Sequence, residues 1–179
     1  MLEIALRNKT DLAMTAKYGS GWLENDEVLL DCYQHACVQD ARKSLRCALK
    51  IGTHGQMISE LNLGFWSSLF GKHSNHLWGQ TLRPIFNVGG LQRSTVAERL
   101  RNLRRLRNRV AHYEPILAHP LAKLYKDVVE LASWLSSDAS RWIISDTTVM
   151  YPPTPILIYD PSTQGLLFDL VLVDNLPAA

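Results

Sequence analysis

Arg99–Pro115 reads RLRNLRRLRNRVAHYEP, and its periodicity decides the class of fold. Val96, Leu100, Leu103, Leu106 and Val110 recur at steps of three and four, the spacing of one buried face of an α-helix. Six arginines fall between Arg99 and Arg109 with no acidic residue among them. Pro115 closes the helix, because its ring excludes the preceding turn and its nitrogen carries no donor. At the other end Ser94 or Thr95 offers an N-cap, and Glu98 completes a capping box with Thr95.

Working outward, the same period recurs on both sides. After Pro120, which suits a first helical position, Leu121, Leu124, Val128, Leu131 and Leu135 form a helical stripe ending near Ser136 and Ser137. Trp142, Ile143 and Ile144 are predicted to close the helical core. Upstream, Pro84 bends or ends an apolar run through Trp78, Leu82, Ile85 and Phe86, and 87–90 is a loop. Met57–Phe70 carries Ile58, Leu61, Phe65 and Leu69 at helical spacing. One or two helices cover Asp26–Lys50, with Val28, Leu29, Cys32, Ala36, Ala41, Leu45, Ala48 and Leu49 on the apolar face. Trp22–Asn25 reads as a loop. Residues 1–18 are helical through Leu2, Ile4, Ala5, Leu6, Leu12, Ala13 and Ala16, and Gly19 and Gly21 end the pattern.

The character of the chain changes at its far end. Pro152, Pro153 and Pro155 interrupt any helix, and ILIYD and LLFDLVLVD flank the turn-rich 161–165. That pattern predicts a β-hairpin, with Leu167, Asp169 and Val171 on one face and Phe168, Leu170 and Leu172 on the other. The expected fold is mostly α: a helical domain over 1–145 and a proline-containing segment over 146–179 bearing a C-terminal β-hairpin.

Bulk properties narrow the function classes. The 179 residues are 46% hydrophobic and 20% charged, ordinary values for one domain with a buried core. A net charge of +2 is modest, so affinity for nucleic acid must come from local clustering, which the arginine helix supplies. No stretch reaches the length of a membrane span, and no basic-then-apolar leader opens the chain. Cys32, Cys37 and Cys47 are an odd set without CxxC spacing, and predict reduced thiols packed in the helices of a cytoplasmic protein. His73 and His76 stand three apart but lack an accompanying carboxylate or thiol, so no metal site is predicted. Neither a GxxxxGK[ST] loop, an HExxH pair nor a GxSxG elbow occurs, and no cofactor is predicted.

The candidate chemistry sits at the end of the arginine helix. Asn108 and His112 are four apart and share a face. Arg107 and His112 are five apart, about 140° around the axis, so only a distorted last turn and a long side chain would bring them together. Imidazole suits proton transfer near neutral pH, and guanidinium matches phosphate oxygens with a fork of donors. Together with an amide they are what phosphodiester cleavage requires. An arginine run is ordinarily a solvated face, and a histidine near a helix end also complements the helix dipole.

The form Arg-x4-His over Arg107–His112, with Asn second, resembles the signature of the HEPN ribonuclease superfamily. More narrowly, LRRLRNRVAHYEPI at Leu103–Ile116, LEIALRN at Leu2–Asn8 and the GFW of Gly64–Trp66 are similar to the Abi-like family, named for abortive infection by bacteriophage. The resemblance covers about Leu2 to about Trp142 and does not clearly reach the hairpin. In that family the Leu2–Asn8 match follows an earlier helix, so an apolar groove is expected to receive another helix or a second subunit. The resemblance implies a HEPN-like helical bundle acting as a metal-independent endoribonuclease, a toxin or phage-defence effector. In this chain Arg107, Asn108 and His112 would be catalytic, and Arg104, Arg105 and Arg109 would bind RNA. The implied partners are RNA, a second copy in a two-fold homodimer, and a cognate antitoxin. Some HEPN toxins carry a modified tyrosine two residues after the histidine, but here that position is Glu114, with Tyr113 one place early. The competing expectation is a helical RNA-binding or protein-interaction module without turnover.

Overall fold

The computed structural model describes residues 2–116, 119–146, 158–160 and 165–167. Contacts divide the chain into two units, Met1–Ile144 and Ser145–Ala179. The described part of the first is all helical: α1 (Leu2–Tyr18), α2 (Cys32–Cys47), α3 (His54–Glu60), α4 (Leu63–Ser68), the single turn α5 (Asn75–Leu77), α6 (Arg93–Ala111), α7 (Leu121–Leu135) and α8 (Ser137–Asp146), which runs past the boundary. Among the described residues of the second unit, Ile158–Asp160 pairs antiparallel with Gly165–Leu167, Tyr159 opposite Leu166. The faces expected for Asp169, Val171, Phe168, Leu170 and Leu172 lie outside the described residues. No helix among those residues is long and apolar enough to cross a membrane.

The core of the first unit forms where α1, α4, α6 and α7 meet. Trp22, Phe65 and Trp66 are fully buried, with Phe65 edge-on to Trp66 at 5.1 Å between ring centroids. A second aromatic group, Phe70, Trp78 and Phe86, lies under the start of α6. The aromatic stripe of the GFW segment is therefore core, unavailable for stacking on bases. A Cβ at Gly64 would meet the Tyr33 hydroxyl and stand 2.8 Å from Asn62 Oδ1, so those two side-chain ends would have to shift. Tyr33 stays 42% exposed, but the partial burial of its hydroxyl pushes it up to about 12, helped by a hydrogen bond with Cys37.

Several expectations are corrected by the tertiary structure. Trp22–Glu24 is a 3₁₀ turn, not an open loop, because Trp22 plugs the core and its indole donates to Asp11 Oδ1 at 3.0 Å. The Met57–Phe70 run breaks at Leu61–Asn62, where the Asn62 side chain caps α4 by accepting from Phe65 N at 3.0 Å. In α1 the inward row is Leu2, Leu6, Thr10 and Met14, whereas Ile4 and Leu12 face outward. In α2 the inward row is Gln34, Val38, Ala41 and Leu45, leaving Cys32, Ala36 and Cys47 exposed. The three thiols are unpaired. In α8 Ile143 packs half-buried against the core as expected, but Ala139 and Ser140 are the buried residues, and Trp142 and Ile144 are exposed.

The arginine helix also begins earlier than its capping signature suggests. It starts at Arg93 with no side-chain cap, so Thr95 and Glu98 are interior positions. Arg93 explains the early start, since its guanidinium donates to Phe70 O at 2.7 Å and to Asn75 Oδ1 at 3.0 Å. The reciprocal capping box forms instead at Thr53 and Gln56, at the head of α3.

Candidate functional site

Burial fades along α6. Val96 and Leu100 are fully buried, Leu103 and Leu106 are half-buried, and Val110 is 53% exposed. The five-residue stripe therefore lies against the core only in its first half. Arg107 continues the row of Val96, Leu100 and Leu103 by position, yet it is exposed because the packing has ended before that turn.

The helix stops by a hydrogen-bond device at Tyr113, ahead of Pro115. Tyr113 adopts a left-handed conformation with φ of 56°, its N–H donates to Val110 O at 3.2 Å, and the next N–H, of Glu114, reaches back to Arg109 O at 2.9 Å. This pair of bonds is the Schellman arrangement, in which the left-handed position is usually glycine. A tyrosine there is strained by about 1–2 kcal/mol. Its side chain is 97% exposed, so burial contributes nothing to offset that strain. His112 is the capping residue, also exposed, with its N–H directed to Asn108 O at 3.0 Å.

Beside this end lies a cleft of about 540 Å³ between α6 and the start of α7. Arg105, Asn108 and Arg109 line it from α6, and His119, Lys123 and Asp127 from the α7 side. Arg107 and His112 do not line it. α6 is helical to Ala111, so no distorted turn carries Arg107 round to the face of His112 within one chain. Arg107 Nη1 instead lies 3.5 Å from its neighbour Asn108 Oδ1. Arg104 lies on the side of α2, close enough to Tyr33 for its charge to oppose the burial effect on that hydroxyl. The proposed trio is thus divided: Asn108 is on the cleft, while Arg107 and His112 stand in solvent at the helix end.

The arginines are not equivalent in charge balance either. Arg99 ties α6 to α7, with Nη1 at 2.7 Å from Glu130, Nε at 3.7 Å from Asp127, and its guanidinium 4.4 Å from the centre of the Trp134 ring. Arg109 meets Glu114 at 3.6 Å. Among the described residues Arg105 and Lys123 have no ion-pair partner. Two cleft residues carry no local signal in the sequence: His119 lies in the connection after α6 and Lys123 in the first turn of α7. Pairing the end of one helix with the beginning of the next across a short connection would have found them.

No protein family, curated protein or solved structure matches the chain. Among the described residues no three His, Cys, Asp or Glu side chains are grouped as a metal site would need. His73 and His76 are both exposed, and the His76 ring lies 3.1 Å from Val28 O.

Proposed function

We propose that this chain is a HEPN-like, Abi-like endoribonuclease of the cytoplasm, acting as a toxin or phage-defence effector without a metal ion. The observation that carries the reading is an exposed imidazole, His112, one turn beyond Asn108 on a helix end whose adjoining cleft is lined by Arg105, Arg109 and Lys123. That setting leaves the ring open to solvent beside a cationic surface, as attack on a phosphodiester demands.

The reaction joins a ribose 2′-oxygen to its adjacent phosphorus and breaks the bond from phosphorus to the next 5′-oxygen. A base takes the 2′-hydroxyl proton, and an acid supplies one to the departing 5′-oxygen. The products are a 2′,3′-cyclic phosphate and a 5′-hydroxyl. His112 serves one of these two proton transfers, and Arg107 stabilises the charge gathering on the phosphate. The other transfer needs a second group, which a two-fold homodimer supplies by bringing two α6 ends together. Asn108 orients the ring or donates to the phosphate. The 3.6 Å pair of Arg109 with Glu114 lowers the charge that two such ends would place face to face.

One observation favours a second reading, an RNA-binding or protein-interaction module without turnover: Arg107 and His112 occupy different sides of a regular helix, and neither lines the cleft of the single chain. Incubating the chain with total RNA in EDTA, beside Arg107→Ala and His112→Ala, separates the two. Cleavage lost in both variants supports the enzyme. RNA bound equally by all three proteins, and cut by none, supports the module.

A further inference from the structure

The cleft between α6 and α7 contains more cationic donors than the fold uses. Arg99 and Arg93 show what a structural arginine looks like in this chain: each guanidinium is matched to carboxylates or to a carbonyl and an amide. Arg105 and Lys123 have no such match among the described residues, although they come from different helices and line one cavity. The acid in that cavity, Asp127, is shared with Arg99 at 3.7 Å, and α7 begins there with neither an acidic first turn nor a side-chain cap. Unpaired like charges gathered in a concavity repel one another, and an anion between them relieves the repulsion.

We propose that this cleft seats a backbone phosphate of single-stranded RNA, held by Arg105, Arg109 and Lys123 with His119 as a further donor. A volume of about 540 Å³ accommodates a phosphate with its sugar, and Leu106 and Leu124 supply an apolar wall for the ribose. Asn108 belongs both to this cleft and to the helix face that carries His112, so a strand lying in the cleft continues to the exposed imidazole. That continuity favours a polymer over a free mononucleotide. The identity of the ligand rests on the RNA reading above, but occupancy of the cleft does not require that the chain cut RNA.

The test therefore uses a strand that cannot react. Binding of a short fluorescein-labelled 2′-O-methyl oligoribonucleotide, which lacks the attacking hydroxyl, is followed by anisotropy over a series of salt concentrations. Lys123→Ala is expected to weaken binding roughly three- to tenfold at low salt and to flatten the slope of log K against log salt by about 0.7, one phosphate contact on a single strand. Lys123→Arg should restore both, His119→Ala should weaken binding less, and Lys43→Ala, a charge-matched change on the exposed side of α2, should do neither. Lys123 is itself exposed, so loss of folding does not confuse the result, and a melting curve checks it. Unchanged affinity and slope in Lys123→Ala, absence of binding by the parent chain, or displacement of the strand by stoichiometric AMP overturns the inference. Normal binding losses with no cleavage of ordinary RNA leave the cleft standing and remove only the nuclease reading.

Discussion

The two halves of α6 are both rich in arginine and leucine or valine, and they differ sharply in how they are packed. From Arg93 to Leu103 the helix is anchored: Val96 and Leu100 are fully buried, Arg93 donates to the carbonyl of Phe70, and Arg99 is held by Asp127, Glu130 and the ring of Trp134. From Arg104 to His112 the helix carries a half-exposed apolar stripe, a cleft with unmatched cations and a strained stop at Tyr113. Arg93 and Arg99, which face the bundle from the first half, are structural, whereas Arg105 in the second half has no ion-pair partner among the described residues and is available to a ligand. Both halves carry arginines and the same apolar spacing, although Glu98 lies only in the first. What separates them is how closely the neighbouring helices pack: the first half is buried against the core, while beside the second half α6 and the start of α7 leave a cleft.

The largest expected contrast is in the apolar stripe. Leu100→Ala should destabilise the chain by about 2–5 kcal/mol, the usual effect of emptying a packed site, whereas Val110→Ala should stay within about 0.5 kcal/mol. Urea unfolding measures both, and equal losses would erase the distinction between the halves. The arginines should follow the same order. Arg99→Ala is expected to lose about 1–3 kcal/mol, because it leaves two carboxylates and an indole face without their partner, while Arg107→Ala, in the exposed second half, should leave stability near neutral. At the helix stop, Tyr113→Gly should raise stability by about 1 kcal/mol by relieving the left-handed strain. A loss on that change would mean that the exposed ring has a partner that stabilises it.

The smallest effect concerns pH and lies across the helix from the cleft. The hydroxyl of Tyr33 ionises at 10.0 in an unstructured chain and at about 12 here, so the folded state prefers the neutral form. Stability from this source is complete below pH 10 and declines as pH rises through the interval to about 12, because the unfolded chain then loses the proton more readily. Tyr33→Phe should flatten that decline, which the pH dependence of the unfolding midpoint reports. An unchanged profile would place the alkaline sensitivity elsewhere.

Much of this architecture was legible in the periodicity of the sequence, and the failures have a common physical origin. The spacing of Val96, Leu100, Leu103, Leu106 and Val110 identifies a face, but no local pattern says how far the surrounding bundle extends along it. The same limit applies in α1, where Leu2 and Leu6 are buried as expected but Thr10 and Met14 complete the inward row and Ile4 and Leu12 face outward, because the position of α7 and α4 selects the face. Capping shows the same dependence: the box expected at Thr95–Glu98 is overridden by the anchoring of Arg93, while the reciprocal box that forms, at Thr53 and Gln56, is not among the expected ones. At the candidate site, the arginines and His112 could be named from sequence. Their division between a cleft and a solvent-facing helix end, and the addition of His119 and Lys123, depended on packing between helices.

The central claim is that the end of α6 cuts RNA through attack by the 2′-hydroxyl. It is tested most directly by the chemistry of the ends left on RNA after incubation with the chain in EDTA. Attack by the 2′-hydroxyl leaves 2′,3′-cyclic phosphates, or the phosphates formed by opening them, opposite 5′-hydroxyl ends, with none expected from His112→Ala. Ends bearing a 3′-hydroxyl, or equal cutting by the His112→Ala protein, would contradict it.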